Sequence, residues 1–361
     1  MENDVYLKLA GVLDTLPNGF PATESGVEIK LLKKIFTPEQ ADLFCNLRLT
    51  FETAAQVSER TGRPLEGLEA RLKDMGEDGQ LFAIDLGGTW VFKMLPWAFG
   101  IYEFQLGRLD KEFATLNEEY GPVFGKQFFS KTPQLMQVLP IEKEIAVQQE
   151  ALSYEKVSTL IEQGQSFLVN DCICKKEQEL LGHPCGRPLQ VCLAIAPVPG
   201  VFDNSPQGKV LSRDEAYSLL KMTEEEGLVH LTSNVQGGNI YICNCCGCCC
   251  GVLNAINKLG IPASQVINSH YYAEIDPEKC LQCGICIGER CQVKAIEEGE
   301  EAYQIIQERC IGCGLCVSTC TGEAIRLVHK GQDQIVPPPI NEEAWFEERG
   351  RLRGIDFSKY Q

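Results

Sequence analysis

The sequence predicts an α+β chain in three folded parts, and three observations predict it. Helical periodicity fills most of the first hundred residues and gives way to a short alternating run around Gly87-Gly88. Ten cysteines crowd between Asp171 and Gly251, in two groups separated by a segment with helix-capping signals. Eight more stand near the C-terminus in two copies of one spacing, about 30 residues apart.

The first part spans residues 1–105. Amphipathic runs at Val27–Ile35, Pro38–Leu47, Glu52–Arg60 and Pro64–Met75 predict helices, with Gly62-Arg63-Pro64 as the turn before the last. LFAIDLGGTWVFK alternates on either side of Gly87-Gly88, as a hairpin with a two-residue loop does. Helices followed by a hairpin resemble a winged helix-turn-helix, a resemblance that implies a reading helix at Pro64–Met75. Its charge opposes DNA binding. Glu66, Glu69, Asp74, Glu77 and Asp78 outnumber Arg63, Arg71 and Lys73, where a groove-reading helix must neutralise phosphates. The expected role is docking of a protein, with no nucleic acid partner. Cys45, inside a helical run, is expected to be a buried apolar filler. Residues 106–150 follow as a long helix, Leu109–Phe129, and an extended connector, PQLMQVLPIEKEI, closed by Pro140.

Residues 151–270 form the middle part. VNDCICKKEQELLGHPCGRPLQVCL supplies Cys172, Cys174, Cys185 and Cys192, and YICNCCGCCCG supplies Cys243, Cys245, Cys246, Cys248, Cys249 and Cys250. Between them Ser212-x-x-Glu215 opens a helix with a capping box and Gly227 ends it. Four thiolates suffice for a structural zinc, and that alternative stays open for the first group. Six cysteines within eight residues favour iron–sulfur chemistry, in which several irons share soft ligands. Two cubanes would use eight of the ten thiols. Cys245-Cys246-Gly247 and Cys249-Cys250-Gly251 are similar to the Cys-Cys-Gly units of heterodisulfide reductase catalytic subunits, which implies a cluster with a bridging thiolate. The histidines His183, His230, His270 and His329 are scattered, and no phosphate-binding glycine loop or nucleophile elbow is present.

The third part, residues 271–332, carries Cys280-x2-Cys283-x2-Cys286-x4-Cys291 and Cys310-x2-Cys313-x2-Cys316-x3-Cys320. Three thiolates on one tight turn cap three irons of a cubane, and a fourth farther along closes it. EKCLQCGIC aligns with ERCIGCGLC, and KAIEE with EAIRL. On these residues the segment resembles a bacterial two-cluster ferredoxin. The resemblance implies crossed ligation: Cys280, Cys283, Cys286 and Cys320 on one [4Fe–4S] cluster, Cys310, Cys313, Cys316 and Cys291 on the other. Two departures stand out. One extra residue within IGER precedes Cys291, and the proline that follows the last cysteine in that family is replaced by Gln292 and Thr321, whose backbone N–H groups are free to donate to sulfur. The tail, 333–361, is expected to pack back on the body or on a partner subunit through Trp345, Phe346 and Leu352.

Taken whole, the order of parts resembles multidomain 4Fe-4S proteins of anaerobic bacteria. The expected cofactors are at least two [4Fe–4S] clusters, and four by thiol count. The expected function is a non-catalytic electron-transfer subunit serving a redox protein partner of an oxidoreductase system. Two alternatives remain: a disulfide or thiol reductase using Cys245–Cys250, and a redox-sensing regulator. A net charge of −17 opposes nucleic acid and anionic membranes; the start lacks the basic and apolar regions of a signal peptide and no stretch approaches a membrane span, so the expected location is the cytoplasm, where clustered thiols mean metal.

Overall fold

The computed structural model describes residues 2–203 apart from 142–155, together with 205 and 207–361. The chain divides into two compact units, Met1–Phe128 with Leu180–Gly182 and Phe346–Gln361, and Phe129–Glu179 with His183–Trp345. Among the described residues no helix is long and apolar enough to cross a membrane.

The first unit holds α1 (Glu2–Thr15), α2 (Val27–Ile35), α3 (Pro38–Phe44), α4 (Ala54–Thr61), α5 (Leu68–Glu77), the hairpin β1 (Leu81–Asp85) and β2 (Trp90–Met94), the single turn α6 (Tyr102–Phe104) and α7 (Lys111–Phe129). Sequence reading did not place α1, whose Tyr6, Leu9 and Leu13 recur at helical spacing and are buried. Thr37 and Thr53 open α3 and α4 with capping boxes closed by Gln40 and Gln56. Helix α5 begins at Leu68 rather than Pro64 because Gly67, at φ +72°, breaks the run just before it. Gly87 and Gly88, at φ +66° and +94°, form the two-residue hairpin loop, where two consecutive left-handed residues match the strand twist. Cys45 is buried, and burial pushes its thiol up to about 11, as suits an inert filler. At the C-terminus, Arg349 lies over the Phe128 ring and donates to the Phe128 carbonyl, and Arg353 donates to Asp14. Arg349 is 1 % exposed while Leu352 is 38 % exposed, so the tail helix, Glu342–Arg353, buries Arg349 in place of the expected Leu352.

The second unit is built on a seven-stranded sheet. Its elements, in order, are β3 (Met136–Leu139), α8 (Val157–Gln163), β4 (Ser166–Asp171), α9 (Ile173–Leu180), β5 (Gln190–Ala196), β6 (Lys209–Leu211), α10 (Arg213–Glu225), β7 (Val229–Ser233), β8 (Tyr241–Cys245), α11 (Gly251–Asn257), α12 (Ala263–Val266) and β9 (Ile267–Asn268). The strand order is β6-β4-β5-β8-β7-β3-β9, antiparallel except where β3 meets β9. The expected connector around Met136 is therefore a sheet strand, buried along its whole length because neighbours flank both edges; its end, residues 142–145, lies outside the described residues. Helix α10 starts on the Ser212–Glu215 capping box, and Gly227 at φ +71° follows its end.

Strand alternation sorts the side chains of this sheet. Phe167, Val169, Leu193, Ile195 and Ile242 point to one face, where Leu160 and Ile161 of α8 and Ala216 and Leu220 of α10 cover them. Each such side chain, fully buried, contributes about 1.5–3 kcal/mol. On that same face Asn244 sits among Thr223, His230 and the Val191 carbonyl, bonded to all three. Cys192, Cys243 and Cys245 alternate with these residues and fall on the opposite face.

A smaller region follows in the same unit: β10 (Tyr271–Ile275) pairs with β13 (Ile325–His329), and β11 (Ile296–Glu298) with β12 (Tyr303–Ile305), both antiparallel. The outer strands of the duplicated segment thus pair with each other, and so do the inner ones. This folds each copy back across the other.

Candidate metal centre

Crossed pairing brings cysteines from both copies together. Cys291, Cys310, Cys313 and Cys316 line one cavity, walled by Ala273, Val293, Ile296, Ile305 and Ile311. The thiols of Cys280, Cys283 and Cys320 all lie close enough to Cys286 to raise it electrostatically, after burial, to about 11. Burial likewise pushes Cys313 up to about 12 and Cys316 well above its ordinary value, with Cys291 and Cys310 adding to both. The sequence-predicted quartets are therefore neighbours in space. Cys283 is exposed and Cys286 and Cys316 are buried, so the first quartet reaches solvent where Leu281 (66 % exposed) and Ile285 flank it.

Backbone amides converge on the sulfurs. Ala295 N–H donates to Cys291 Sγ at 3.1 Å, Ala324 N–H to Cys320 Sγ at 3.3 Å and Ala273 N–H to Cys310 Sγ at 3.4 Å. The first two lie four residues beyond their cysteine, in the repeated KAI and EAI triplets. The expected donors, Gln292 and Thr321, are one residue beyond. The extra residue before Cys291 is absorbed by a single wide helical turn over Cys286–Arg290, closed by Cys291 N–H to the Cys286 carbonyl at 3.2 Å.

The ten middle cysteines separate into two sets. Cys185, Cys246, Cys248 and Cys249 bring their sulfurs within 4.8 Å of one another. The turn Cys246–Cys250, closed by Cys250 N–H to the Cys246 carbonyl at 3.1 Å, makes this possible by turning consecutive side chains inward. The other set is held by the sheet and two helix starts. Register places Cys192 opposite Cys243, Cys245 follows on the same face, Cys172 and Cys174 flank the first residue of α9, and Cys250 precedes α11. Thiol contacts join Cys172 to Cys174, and Cys192, Cys243, Cys245 and Cys250 in sequence. The hydrogen bond from Cys249 holds Cys246 down to about 5, and the one from Cys174 holds Cys172 down to about 7. Buried Lys175, which donates to the Pro188 carbonyl at 2.6 Å, adds positive charge beside both. His183 is in neither set, and His230 is a structural partner of Asn244, its charging disfavoured by burial.

Side-chain hydrogen bonds join the two regions. Gln292, immediately after Cys291, accepts from Gly247 N–H through Oε1 at 2.9 Å and donates through Nε2 to the Glu289 carbonyl at 2.7 Å. Asn257 donates to both the Gln292 and Gly247 carbonyls and accepts from Arg309. The approach needs glycine at 247, where a Cβ would stand 2.0 Å from the Gln292 carbonyl oxygen. Arg187 and Arg290 add a second tie, since both reach carbonyls at the end of α10 and Arg187 also reaches the Glu289 carbonyl. None of this was read from the sequence, although the replacement of proline by Gln292 was a signal.

Residues 303–326 match the family of 4Fe-4S binding domains. No curated protein and no solved structure matches the chain. The C-terminal region is thus a 4Fe-4S binding domain of ferredoxin type, which indicates iron–sulfur redox function.

Proposed function

We propose that the chain is a multi-centre iron–sulfur electron carrier that hands single electrons to a redox protein partner. The observation that carries the reading is the pair of crossed quartets, one of them enclosing a cavity lined by Cys291, Cys310, Cys313 and Cys316. In this reading those four hold one [4Fe–4S] cluster and Cys280, Cys283, Cys286 and Cys320 the other, and a further centre lies among the middle cysteines. Bound there, such clusters supply reversible one-electron chemistry.

The chain's own residues then have separable tasks. Ala273, Ile296 and Ile325 exclude water around the sulfurs. The amides of Ala273, Ala295 and Ala324 stabilise thiolate charge. Gln292 fixes the Cys291 end against the Cys246–Cys248 turn, which aligns the second quartet with the middle region. The exposed edge at Leu281, Cys283 and Ile285 is the proposed contact for the partner, whose surface would be basic to suit a chain of net charge −17. The first unit is proposed as a winged-helix-like docking module for protein. Exposed Phe51 and Phe104 beside Phe82, and the acidic surface of α5, support this over nucleic acid.

The test is electron transfer by the anaerobically purified, full-length protein. Dithionite-reduced protein should reduce a generic one-electron acceptor and show low-temperature EPR signals of reduced clusters. Leu281→Glu should slow transfer to a basic redox protein while leaving those signals intact. Protein without bound iron or reducible signals overturns the proposal.

A further inference from the structure

We infer that Cys185, Cys246, Cys248 and Cys249 form a site for one tetrahedral zinc ion, distinct from the iron–sulfur centres. A single ion with bonds of about 2.3 Å draws its four sulfurs to roughly 3.8 Å from one another. A cubane places each thiolate on a different iron at a different corner, so its ligand sulfurs stand farther apart. The four sulfurs here lie within 4.8 Å of one another, with Cys248 and Cys249 at 3.7 Å. Among the described residues, the ferredoxin-type quartets do not close to this separation. The same chain thus contains the wider arrangement where a 4Fe-4S binding domain is matched and the tighter one where none is.

The local chain agrees. Three ligands come from one five-residue turn and the fourth from the loop after α9, so two separate segments close the site. Buried Lys175, which donates to the Pro188 carbonyl, offsets part of the charge of a four-thiolate site. Removing these four leaves Cys172, Cys174, Cys192, Cys243, Cys245 and Cys250 as a connected set for the redox centre. Zinc has no redox chemistry, so its task is to fix the Cys246–Cys250 turn that presents Gly247 to Gln292. This site stands whether or not the chain relays electrons.

The experiment compares zinc and iron contents of the full-length protein, purified anaerobically from cells grown with both metals, with those of Cys248→Ser and Cys185→Ser. The expected result is about one zinc per wild-type chain, falling to under about a tenth in each variant while iron and the ferredoxin EPR signals are unchanged. Cys248 is exposed, so its substitution spares the core. A separate arm holds if the variants fold poorly: wild-type protein with its zinc exchanged for Co²⁺ should show the absorption of tetrahedral cobalt thiolate. Zinc absent from the wild type, or iron lost with Cys248, overturns the assignment.

Discussion

Gln292→Ala removes one acceptor and one donor without touching a cysteine. The Gly247 N–H loses its partner at 2.9 Å and the Glu289 carbonyl loses one at 2.7 Å. Alanine cannot fill the space, so the Gly247 amide is left without its partner, a cost of about 1–3 kcal/mol. Opening of the Cys246–Cys250 turn should therefore become roughly 5–150 times more frequent. Hydrogen exchange followed by mass spectrometry reads this directly, as faster exchange in the peptide containing Gly247 and unchanged exchange in β10 and β13. Gln292→Glu keeps an acceptor for Gly247 but sets a carboxylate oxygen against the Glu289 carbonyl, so it should restore only part of the protection. Unchanged exchange at Gly247 in the alanine variant would refute the view that this side chain fixes the turn.

Three further outcomes are expected. Gly312→Ala puts a Cβ 2.2 Å from the Tyr271 carbonyl at a residue with φ +62°, so it should cost several-fold in iron retained by the ferredoxin region while zinc content is unaffected. Burial raises the Glu103 carboxyl to about 8 from an ordinary 4.5, so the penalty is absent below pH 4.5, grows with pH and is complete above pH 8. Glu103→Gln, which keeps an acceptor for Gly100 N–H, should raise the melting temperature of the first unit at pH 9 by an amount equivalent to about 1–3 kcal/mol, with no gain at pH 4. Deleting the residues after Pro339 removes Trp345, whose Nε1–H donates to the Gln134 carbonyl, as well as buried Arg349, and should lower the melting temperature by several degrees in a thermal scan.

Much of the C-terminal region was legible because its geometry is local: two spacings of cysteine on tight turns, repeated, leave few ways to enclose a metal. The hairpin at Gly87-Gly88 and the helix opened by Ser212 were legible for the same reason, each being written in a few adjacent residues. The division of the middle cysteines was not. Six cysteines in eight residues look alike in sequence, and what separates Cys246, Cys248 and Cys249 from Cys243, Cys245 and Cys250 is the change from strand to turn to helix start, with Cys185 supplied by the loop after α9 and Cys192 by β5. The buried strand at Met136 was read as a connector because four residues carry too little pattern to reveal neighbours far along the chain. The Gln292 to Gly247 contact depends on the packing of two regions, which no local spacing encodes.

The central claim is that the duplicated segment holds two clusters side by side on crossed quartets. Its most direct test is a reductive titration of the anaerobic full-length protein followed by EPR, with iron counted on the same sample and with Cys320→Ser as the comparison. The account predicts two signals that split by mutual interaction on full reduction. In Cys320→Ser it predicts an altered signal from the cluster of Cys280, Cys283 and Cys286 alone. An altered signal from the cluster of Cys310, Cys313 and Cys316 instead would mean that each copy holds its own cluster, and would contradict it.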